Sequence, residues 1–472
     1  MASHNTRDGT KIPAIPARSV RTAAQARRIV SQRGLDYVKV GVFDGDGILR
    51  GKFMGRDKFF AALDKGFGFC DVVLGWDSND QLFDNTAYTG WHTGYPDAQV
   101  RILPDSCRDQ PGDFDGRGLL FLGEFVAEAE AICPRGLLRK VVARAKDMGL
   151  AATAAFEYEF FLFDETPDSA AAKGYRDLIP ISPGNFGYSV LRASTWADFH
   201  CALLDICTTM DFPLEGLHTE TGPGVLEASI DKDLALAAAD KAALFKTFAK
   251  VEAQRHGLMA TFMAKWSPDY PGQSGHIHLS LNSGKNGKSV FYDKSAADGI
   301  SNTMRHFLGG QQALMPELLA MIAPTVNAYT RLIPGFWAPT DATWGVDNRT
   351  CALRVIGGGE HSQRVEFRVA AADGNPYLAL AAALGAGLWG IEQKIEPTAP
   401  IVGNAYDQAI PKRLSLPQSL GEAADKLERS KAARALFGDA FVEHFAATRK
   451  WEERESRRAI TDWQLKRYFE II

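Results

Sequence analysis

The sequence predicts a two-part α+β protein, and three features of the 472-residue chain lead to that prediction. First, Tyr37–Phe43 has the composition of a strand and ends at an Asp-Gly-Asp-Gly turn over residues 44–47. Second, apolar residues recur at helical spacing over 137–148, between Pro134 as a helix start and Gly149 as a stop. Third, several later segments alternate polar and apolar residues, which is the period of a β-strand.

These signals divide the chain into three parts. Residues 1–20 are predicted to form a flexible arm, residues 21–133 a small N-terminal α+β domain, and residues 134–472 a larger catalytic domain. Within the larger domain, a long helix is expected from about 233 to 257.

Composition excludes several classes of protein. Lys and Arg total 53 and Asp and Glu total 57, and a net charge of −4 argues against a dedicated nucleic-acid binder. Six cysteines without CxxC spacing indicate free thiols in a reducing cytoplasm. The N-terminus lacks the apolar core of a signal peptide, and the apolar run 377–391 is too short to span a membrane, so it is predicted as a buried helix. We therefore expect a cytoplasmic protein without a membrane partner.

Three segments place chemically active residues on one face of a predicted strand. With a period of two, each segment turns its polar side chains the same way. The side chains concerned are Glu157 and Glu159, then His276, His278 and Ser280, then Arg364, Glu366 and Arg368. For any single segment, a polar face at a solvated sheet edge is the alternative.

The carboxylates favour a metal site. Glu157 and Glu159 are neighbouring like charges, which is costly unless a cation lies between them. Together with Glu220, Glu227, Glu366 and His276, they suit two divalent ions with mostly oxygen ligands, Mg²⁺ or Mn²⁺.

Arginines supply the complementary charge. They are Arg331, Arg349, Arg354, Arg364 and Arg368. Guanidinium groups hold phosphates and carboxylates bidentately, and metals with arginines around phosphate oxygens meet the needs of phosphoryl transfer. Structural ion pairs among the same groups are the alternative. No GxxxxGK[ST] loop and no protein-kinase motif set occur in the sequence.

Taken in order, these motifs resemble those of the glutamine synthetase family. The segments are F-E-Y-E, G-P-G-x-x-E, H-I-H-L-S-L, N-A-Y-x-R-L-I-P-G-F, D-N-R-T and R-V-E-F-R, and the resemblance is strongest over 156–391. It implies an N-terminal β-grasp domain, a glutamine-synthetase-type catalytic domain, and homo-oligomeric rings of six that are often stacked to twelve. It also implies an ATP-dependent ligase that phosphorylates the side-chain carboxylate of glutamate and lets an amine attack the acyl phosphate.

The resemblance also implies roles for individual residues. The metal nearer the amino acid would be held by Glu159, Glu220 and Glu227, and the metal nearer ATP by Glu157, His276 and Glu366. Glutamate would be bound by Arg331 and Arg368, with Glu159 and His276 nearby. The transferring phosphate would be neutralised by Arg349, Arg354 and Arg364. ATP would contact His278 and Ser280 as well as Arg354 and Arg364, and the residues implied to be catalytic are Arg349 and Glu220.

The sequence departs from the family at informative positions. Trp337 stands where ammonia-using members have a glutamate that helps to deprotonate ammonium. An indole accepts no proton and offers apolar surface, which favours an amine larger than ammonia, as in gamma-glutamylputrescine synthetase and related ligases. The alternative is that Trp337 merely shapes a flap. The loop before His276 is one residue shorter than usual, so an acid similar to glutamate is the second possibility for the acid substrate.

Two further regions carry candidate residues. Asp71 and Asp77 are candidates for the acidic residue that a neighbouring subunit gives to the amine site, and Tyr406 lies near the position of the family's adenylylation tyrosine. The leading hypothesis is a gamma-glutamyl-amine ligase that uses ATP with Mg²⁺ or Mn²⁺. The others are an ordinary ammonia-using glutamine synthetase and a non-catalytic structural relative.

Overall fold

The computed structural model describes residues 15–472 and confirms the α+β class. The strands are β1 (Tyr37–Phe43), β2 (Leu49–Gly55), β3 (Phe67–Cys70), β4 (Asp97–Ile102), β5 (Arg108–Gln110), β6 (Gly118–Phe125), β7 (Leu150–Phe163), β8 (Leu214–Thr219), β9 (Val225–Ile230), β10 (Asp233–Leu234), β11 (Met259–Thr261), β12 (Gly275–Ser283), β13 (Trp344–Val346), β14 (Leu353–Ile356) and β15 (Arg364–Phe367). The helices are α1 (Ala23–Gln32), α2 (Arg56–Lys65), α3 (Pro134–Asp147), α4 (Pro167–Ala172), α5 (Val190–Thr195), α6 (Ala197–Thr209), α7 (Ala235–Arg255), α8 (Asn302–Ile322), α9 (Pro376–Gln393), α10 (Leu420–Arg429), α11 (Lys431–Phe437), α12 (Asp439–Ser456) and α13 (Asp462–Tyr468).

The N-terminal part is a sheet covered by two helices. Its strands run in the order β2-β1-β6-β4-β3, with β5 added beside β6, and β1 pairs with β6 in parallel. Helices α1 and α2 bury Ile29 and Phe59 against Phe121 and other apolar side chains of this sheet. A mixed sheet with helices on it is the arrangement expected of a β-grasp domain.

The predicted arm lies mostly outside the described residues. Of its described part, Ala17 and Val20 are buried in the N-terminal core, and the Arg18 side chain pairs with Asp211 at 2.6 Å.

The larger sheet carries the residues of interest. Its strand order is β13-β14-β15-β12-β7-β9-β8, with β10 and β11 also paired to β7. The back face of β7 presents Phe156, Tyr158 and Phe160, which are fully buried where the strand packs against helices α3 and α7. Helix α7 lies close to its predicted bounds, and α9 is the buried helix expected over 377–391.

A buried ionic bridge joins the two parts. Arg135, at the start of α3, donates to Glu124 on β6 at 2.6 Å and to both oxygens of Asp240 on α7 at 2.9 Å. Burial alone raises the pKa of both carboxyls, but the guanidinium outweighs it, so the pKa of each is lowered. Within residues 15–472, the helices are all too short or too polar to cross a bilayer.

Candidate active site

One face of the larger sheet gathers the polar side chains that the alternation predicted. Strand pairing sets His276 opposite Glu157, Glu159 opposite Glu227, and His278 opposite Glu366. Directly opposed residues on adjacent strands project from the same face, so side chains far apart in sequence meet there. The apolar residues between them point to the buried back face.

The first cluster on this face is the braced acidic group, which consists of Glu157, His276 and Glu366. One ligand atom from each lies within 4.8 Å of the others. His276 Nδ1 is 3.6 Å from a Glu157 oxygen and 3.5 Å from a Glu366 oxygen. These three residues are the same set that the resemblance assigns to the metal nearer ATP.

Arginines and a second histidine support the braced acidic group. Arg354 donates to Glu366 at 2.9 Å, and Arg368 donates to the other Glu366 oxygen. Burial on its own raises the pKa of Glu366, yet the charges of His276 and Arg368 bring that pKa down to about 2. Burial also raises the pKa of Glu157, but His276 and His278 outweigh it and the net shift is downward. The pKa values of both carboxyls in this group are therefore lowered by a cationic frame of arginines and histidines.

The second cluster is the open acidic group, which consists of His218, Glu220 and Glu227. His218 Nε2 is 3.6 Å from an oxygen of each glutamate. Within residues 15–472, neither glutamate forms an ion pair with a lysine or an arginine. Burial and the charges of surrounding glutamates, with Glu159 foremost, raise the pKa of Glu227. The open acidic group thus carries repulsion that a cation would relieve.

Glu159 lies between the two groups. Its Oε2 accepts the Ser274 N–H at 2.5 Å, in the shortened loop before His276. It stands opposite Glu227 in the strand register but is not one of the three residues whose ligand atoms converge in the open acidic group. Its predicted role as a metal and substrate ligand stays a prediction.

The donor atoms fit divalent cations. Carboxylate oxygens with a single imidazole in each group are ligands suited to Mg²⁺ or Mn²⁺. His218 Nε2 is buried and has no hydrogen-bond partner in the described part of the chain, although it faces two carboxylates. The braced and open acidic groups would each hold one ion.

A cleft lies beside the braced acidic group. Its volume is about 410 Å³, and Glu157, His278, Ser280, Arg364 and His361 are among its lining residues. Arg364 Nε donates to His278 Nδ1 at 3.1 Å, which leaves His278 Nε2 directed to Glu157 at 3.2 Å. The predicted ATP contacts His278, Ser280 and Arg364 therefore line one cleft.

The remaining predicted residues differ in exposure. Arg331 is 1% exposed, and its guanidinium donates to the Val369 and Arg368 carbonyls and to Ser274 Oγ at 2.8–3.1 Å. In this structure it supports the wall that carries Arg368. Arg349 is exposed, close enough for its charge to act on Tyr188, and Trp337 is 59% exposed.

The sequence reasoning missed two residues at the open acidic group. His218, on β8, stands two positions before Glu220, a spacing that could have identified it. The Tyr188 ring stacks on the His218 ring at 4.5 Å between centroids and 10° between planes. His218 foremost, then the Thr221 N–H and the Tyr188 hydroxyl, lower the pKa of Glu220. Tyr188 reaches the site on a loop with a left-handed φ of 56°, and nothing in its local sequence signals that position.

The sequence is similar to glutamine synthetases and to ligases that join glutamate to amines. The family model of the glutamine synthetase catalytic domain matches residues 131–468. Type-1 glutamine synthetase 2 of Dictyostelium discoideum is 44% identical, over 92% of this chain and 84% of its own length. The glutamate–isopropylamine ligase of a Pseudomonas species is 37% identical over 95% and 98% of the two chains. The gamma-glutamylethanolamide synthetase of Streptomyces coelicolor is 36% identical over 94% of each chain.

Solved structures show the same fold. The complex of GmaS with ADP superposes with a TM-score of 0.81 at 26% identity, covering 94% of this chain and 99% of that one. With two acidic groups, a cationic frame and a family model that covers most of the chain, the protein belongs to the glutamine synthetase family.

Proposed function

We propose that this protein is an ATP-dependent ligase that joins glutamate, or a similar acid, to an amine larger than ammonia through a gamma-glutamyl phosphate. The observation that carries the proposal is Trp337, which is 59% exposed and stands where ammonia-using members of the family have a glutamate, in a chain that has both acidic groups in place. Glutamine synthetase family ligases use ATP and divalent metals. Two of the relatives are named for an alkylamine or an amino alcohol as substrate, which supports the same substrate class here.

The first chemical step activates the acid. An oxygen of the side-chain carboxylate attacks the γ-phosphorus of ATP, and ADP leaves with the electrons of the broken P–O bond. Bound Mg²⁺ or Mn²⁺ would neutralise phosphate charge during this transfer. Arg349, Arg354 and Arg364 stabilise the charge that spreads over the phosphoryl oxygens, and His278 and Ser280 position the nucleotide.

The second step forms the amide. The amine nitrogen attacks the acyl carbon, phosphate leaves, and the nitrogen gives up a proton. Glu220, beside Tyr188 and His218, is the carboxylate that we assign to accept that proton. Since Trp337 cannot accept a proton, it acts here as apolar surface for the carbon tail of the amine.

A residue from a neighbouring subunit would complete the amine site. Asp77 Oδ1 accepts two backbone N–H groups of its own turn, at 2.9 and 2.8 Å, and so has a local structural role. Asp71 is 3% exposed, with Oδ1 lacking a hydrogen-bond partner among the described residues. We therefore favour Asp71 as this residue. We expect a cytoplasmic protein whose subunits form hexameric rings stacked to a dodecamer. Light scattering of the purified protein measures the mass of that assembly directly.

Amine-dependent phosphate release tests the proposal. With glutamate, ATP and Mg²⁺, we expect kcat/KM for the best of a graded set of alkylamines, amino alcohols and diamines to exceed that for ammonia by about tenfold or more, about 1.4 kcal/mol. Ammonia as the preferred substrate over every amine in the set would refute it.

A pair of variants isolates the contribution of Trp337. Trp337→Glu supplies a proton acceptor and removes the indole, so we expect the preference to move towards ammonia. Trp337→Phe keeps apolar surface and serves as the matched control, with the amine preference retained. Equal preference in the two variants would show that the indole merely shapes the flap.

An ordinary, ammonia-using glutamine synthetase is the second candidate. The 44% identity to a type-1 glutamine synthetase favours it. The same assay separates the two, because this candidate requires ammonia to be the best substrate.

A further inference from the structure

The segment that carries Trp337 is a short flap, residues 335–338, without regular secondary structure. Gly335 and Trp337 both have left-handed backbone angles, with φ of 83° and 61°. For a bulky residue such as Trp337 this conformation is strained, and it persists only when the surroundings hold it. The contacts on either side of Trp337 show what holds it.

The first contact is a hydrogen bond from Tyr406. Its hydroxyl donates to the Ala338 carbonyl at 2.9 Å, and Ala338 is 1% exposed. Burial raises the pKa of Tyr406 while the charges of Arg368 and Arg331 oppose that rise, which places Tyr406 next to the arginine wall of the site.

Tyr406 itself stands on a segment fixed to the Arg349 region. The Ala405 N–H donates to Thr350 Oγ1 at 2.9 Å, and Asn348 Nδ2 donates to the Gly403 carbonyl at 2.8 Å. Hydrogen bonds therefore connect the segment of Arg349 to residues 403–405, and the adjacent Tyr406 connects this segment to the flap.

The second contact is a cation–π interaction on the other side of Trp337. The Lys265 ammonium lies 4.3 Å from the centroid of the Phe336 ring. Lys265 is 6% exposed, and its Nζ lacks a hydrogen-bond partner within residues 15–472. The face of the Phe336 ring is therefore the group that interacts with the ammonium charge. Two hydrogen bonds with Asn327, both 2.8 Å, fix the backbone of Lys265.

We propose that Tyr406 and Lys265 are positioning residues that clamp the flap and hold Trp337 as a preformed apolar wall for the amine. This inference rests on the proposed function. A wall that is ordered before the amine arrives lowers the entropy cost of binding, which improves affinity without new contacts. The effect is therefore expected in KM for the amine.

Hydrogen exchange and kinetics of Tyr406→Phe test the clamp. The variant keeps the ring and removes only the donor. We expect amide exchange over 335–338 in the free enzyme to accelerate about fivefold or more, KM for the preferred amine to rise by a similar factor, and kcat and KM for ATP to stay within twofold. Lys265→Met, which keeps the length and removes the charge, is expected to act in the same direction. Tyr37→Phe, at an exposed position on β1, is the matched control and should change none of these values.

The outcomes separate the two claims. Unchanged flap exchange in Tyr406→Phe would overturn the clamp. Faster exchange with an unchanged amine KM would overturn its role in amine binding. A wild-type enzyme that uses only ammonia would overturn the proposed function and the specificity role with it, whereas flap exchange, which needs no amine, still decides whether the clamp exists.

Discussion

The two acidic groups sit on the same sheet, yet they are stabilised in opposite ways. In the braced acidic group, Glu366 is 1% exposed and receives hydrogen bonds from Arg354 and Arg368. In the open acidic group, His218 lies 3.6 Å from both Glu220 and Glu227, and neither glutamate has a lysine or arginine partner among residues 15–472. The protein itself therefore sets arginines against the first group, whereas the second has only the imidazole of His218. Four predictions sharpen this contrast, in order of decreasing effect.

The largest effect is expected from Glu366→Gln in metal-free protein. Removing this charge leaves two arginines without their buried partner, and breaking a buried pair costs about 3–5 kcal/mol. Because the pKa of Glu366 is lowered to about 2, its ionisation stabilises the fold above the ordinary value of 4.5, and that stability is lost as the pH falls towards 2. Urea denaturation in EDTA at neutral pH measures the loss. Glu470→Gln, at the exposed C-terminus, is the control, and a loss below about 1 kcal/mol would contradict the bracing role.

The second effect is stabilisation by Mg²⁺. A ligand at one hundred times its Kd stabilises the folded state by about 2.7 kcal/mol, and each group would hold one ion. We expect Tm of the wild-type protein to rise with Mg²⁺ concentration. Mg²⁺-free buffers whose ionic strength is matched with NaCl provide the control. A Tm that depends only on ionic strength would argue against specific cation sites.

The third effect has the opposite sign from the first. Because burial and neighbouring carboxylates raise the pKa of Glu227, Glu227→Gln removes a repulsion and should stabilise metal-free protein by about 1.4 kcal/mol or more, the equivalent of one pKa unit. The same variant should lose much of the Mg²⁺ stabilisation and most amine-dependent activity. Denaturation with and without Mg²⁺ measures both. Should Glu227→Gln and Glu366→Gln both weaken the metal-free fold, the contrast between the groups is wrong.

The smallest effect concerns Tyr188. Tyr188→Phe keeps the ring that stacks on His218 but removes the hydroxyl beside Glu220, a loss of about 0.5–1.5 kcal/mol. We expect KM for the amine to rise by the factor that corresponds to this energy. KM for ATP should stay unchanged, because the nucleotide cleft lies beside the braced acidic group. Steady-state kinetics measure both KM values, and Tyr175→Phe, at an exposed position, is the control. An equal change in both KM values would place Tyr188 outside the amine site.

The sequence predicted the polar face of the sheet because strand alternation is a local property. Glu157, His276 and Glu366 share one face at a period of two, and the register of β7, β12 and β15 then brings them together. Tyr188 escaped because its position depends on a loop with a strained backbone rather than on any periodicity. The direction of the Arg331 guanidinium, into backbone carbonyls, also depends on packing that residue spacing does not encode.

Strand β7 fixes the distance between the two acidic groups. Glu157 belongs to one acidic group, and Glu159 faces Glu227 of the other, two residues and about 6.6 Å further along the strand. A single inserted or deleted residue would swing one carboxylate into the hydrophobic layer, so the separation of the two charge centres is locked by backbone geometry. Substrate range can then diversify only where no such lock applies, in the loops that border the sheet.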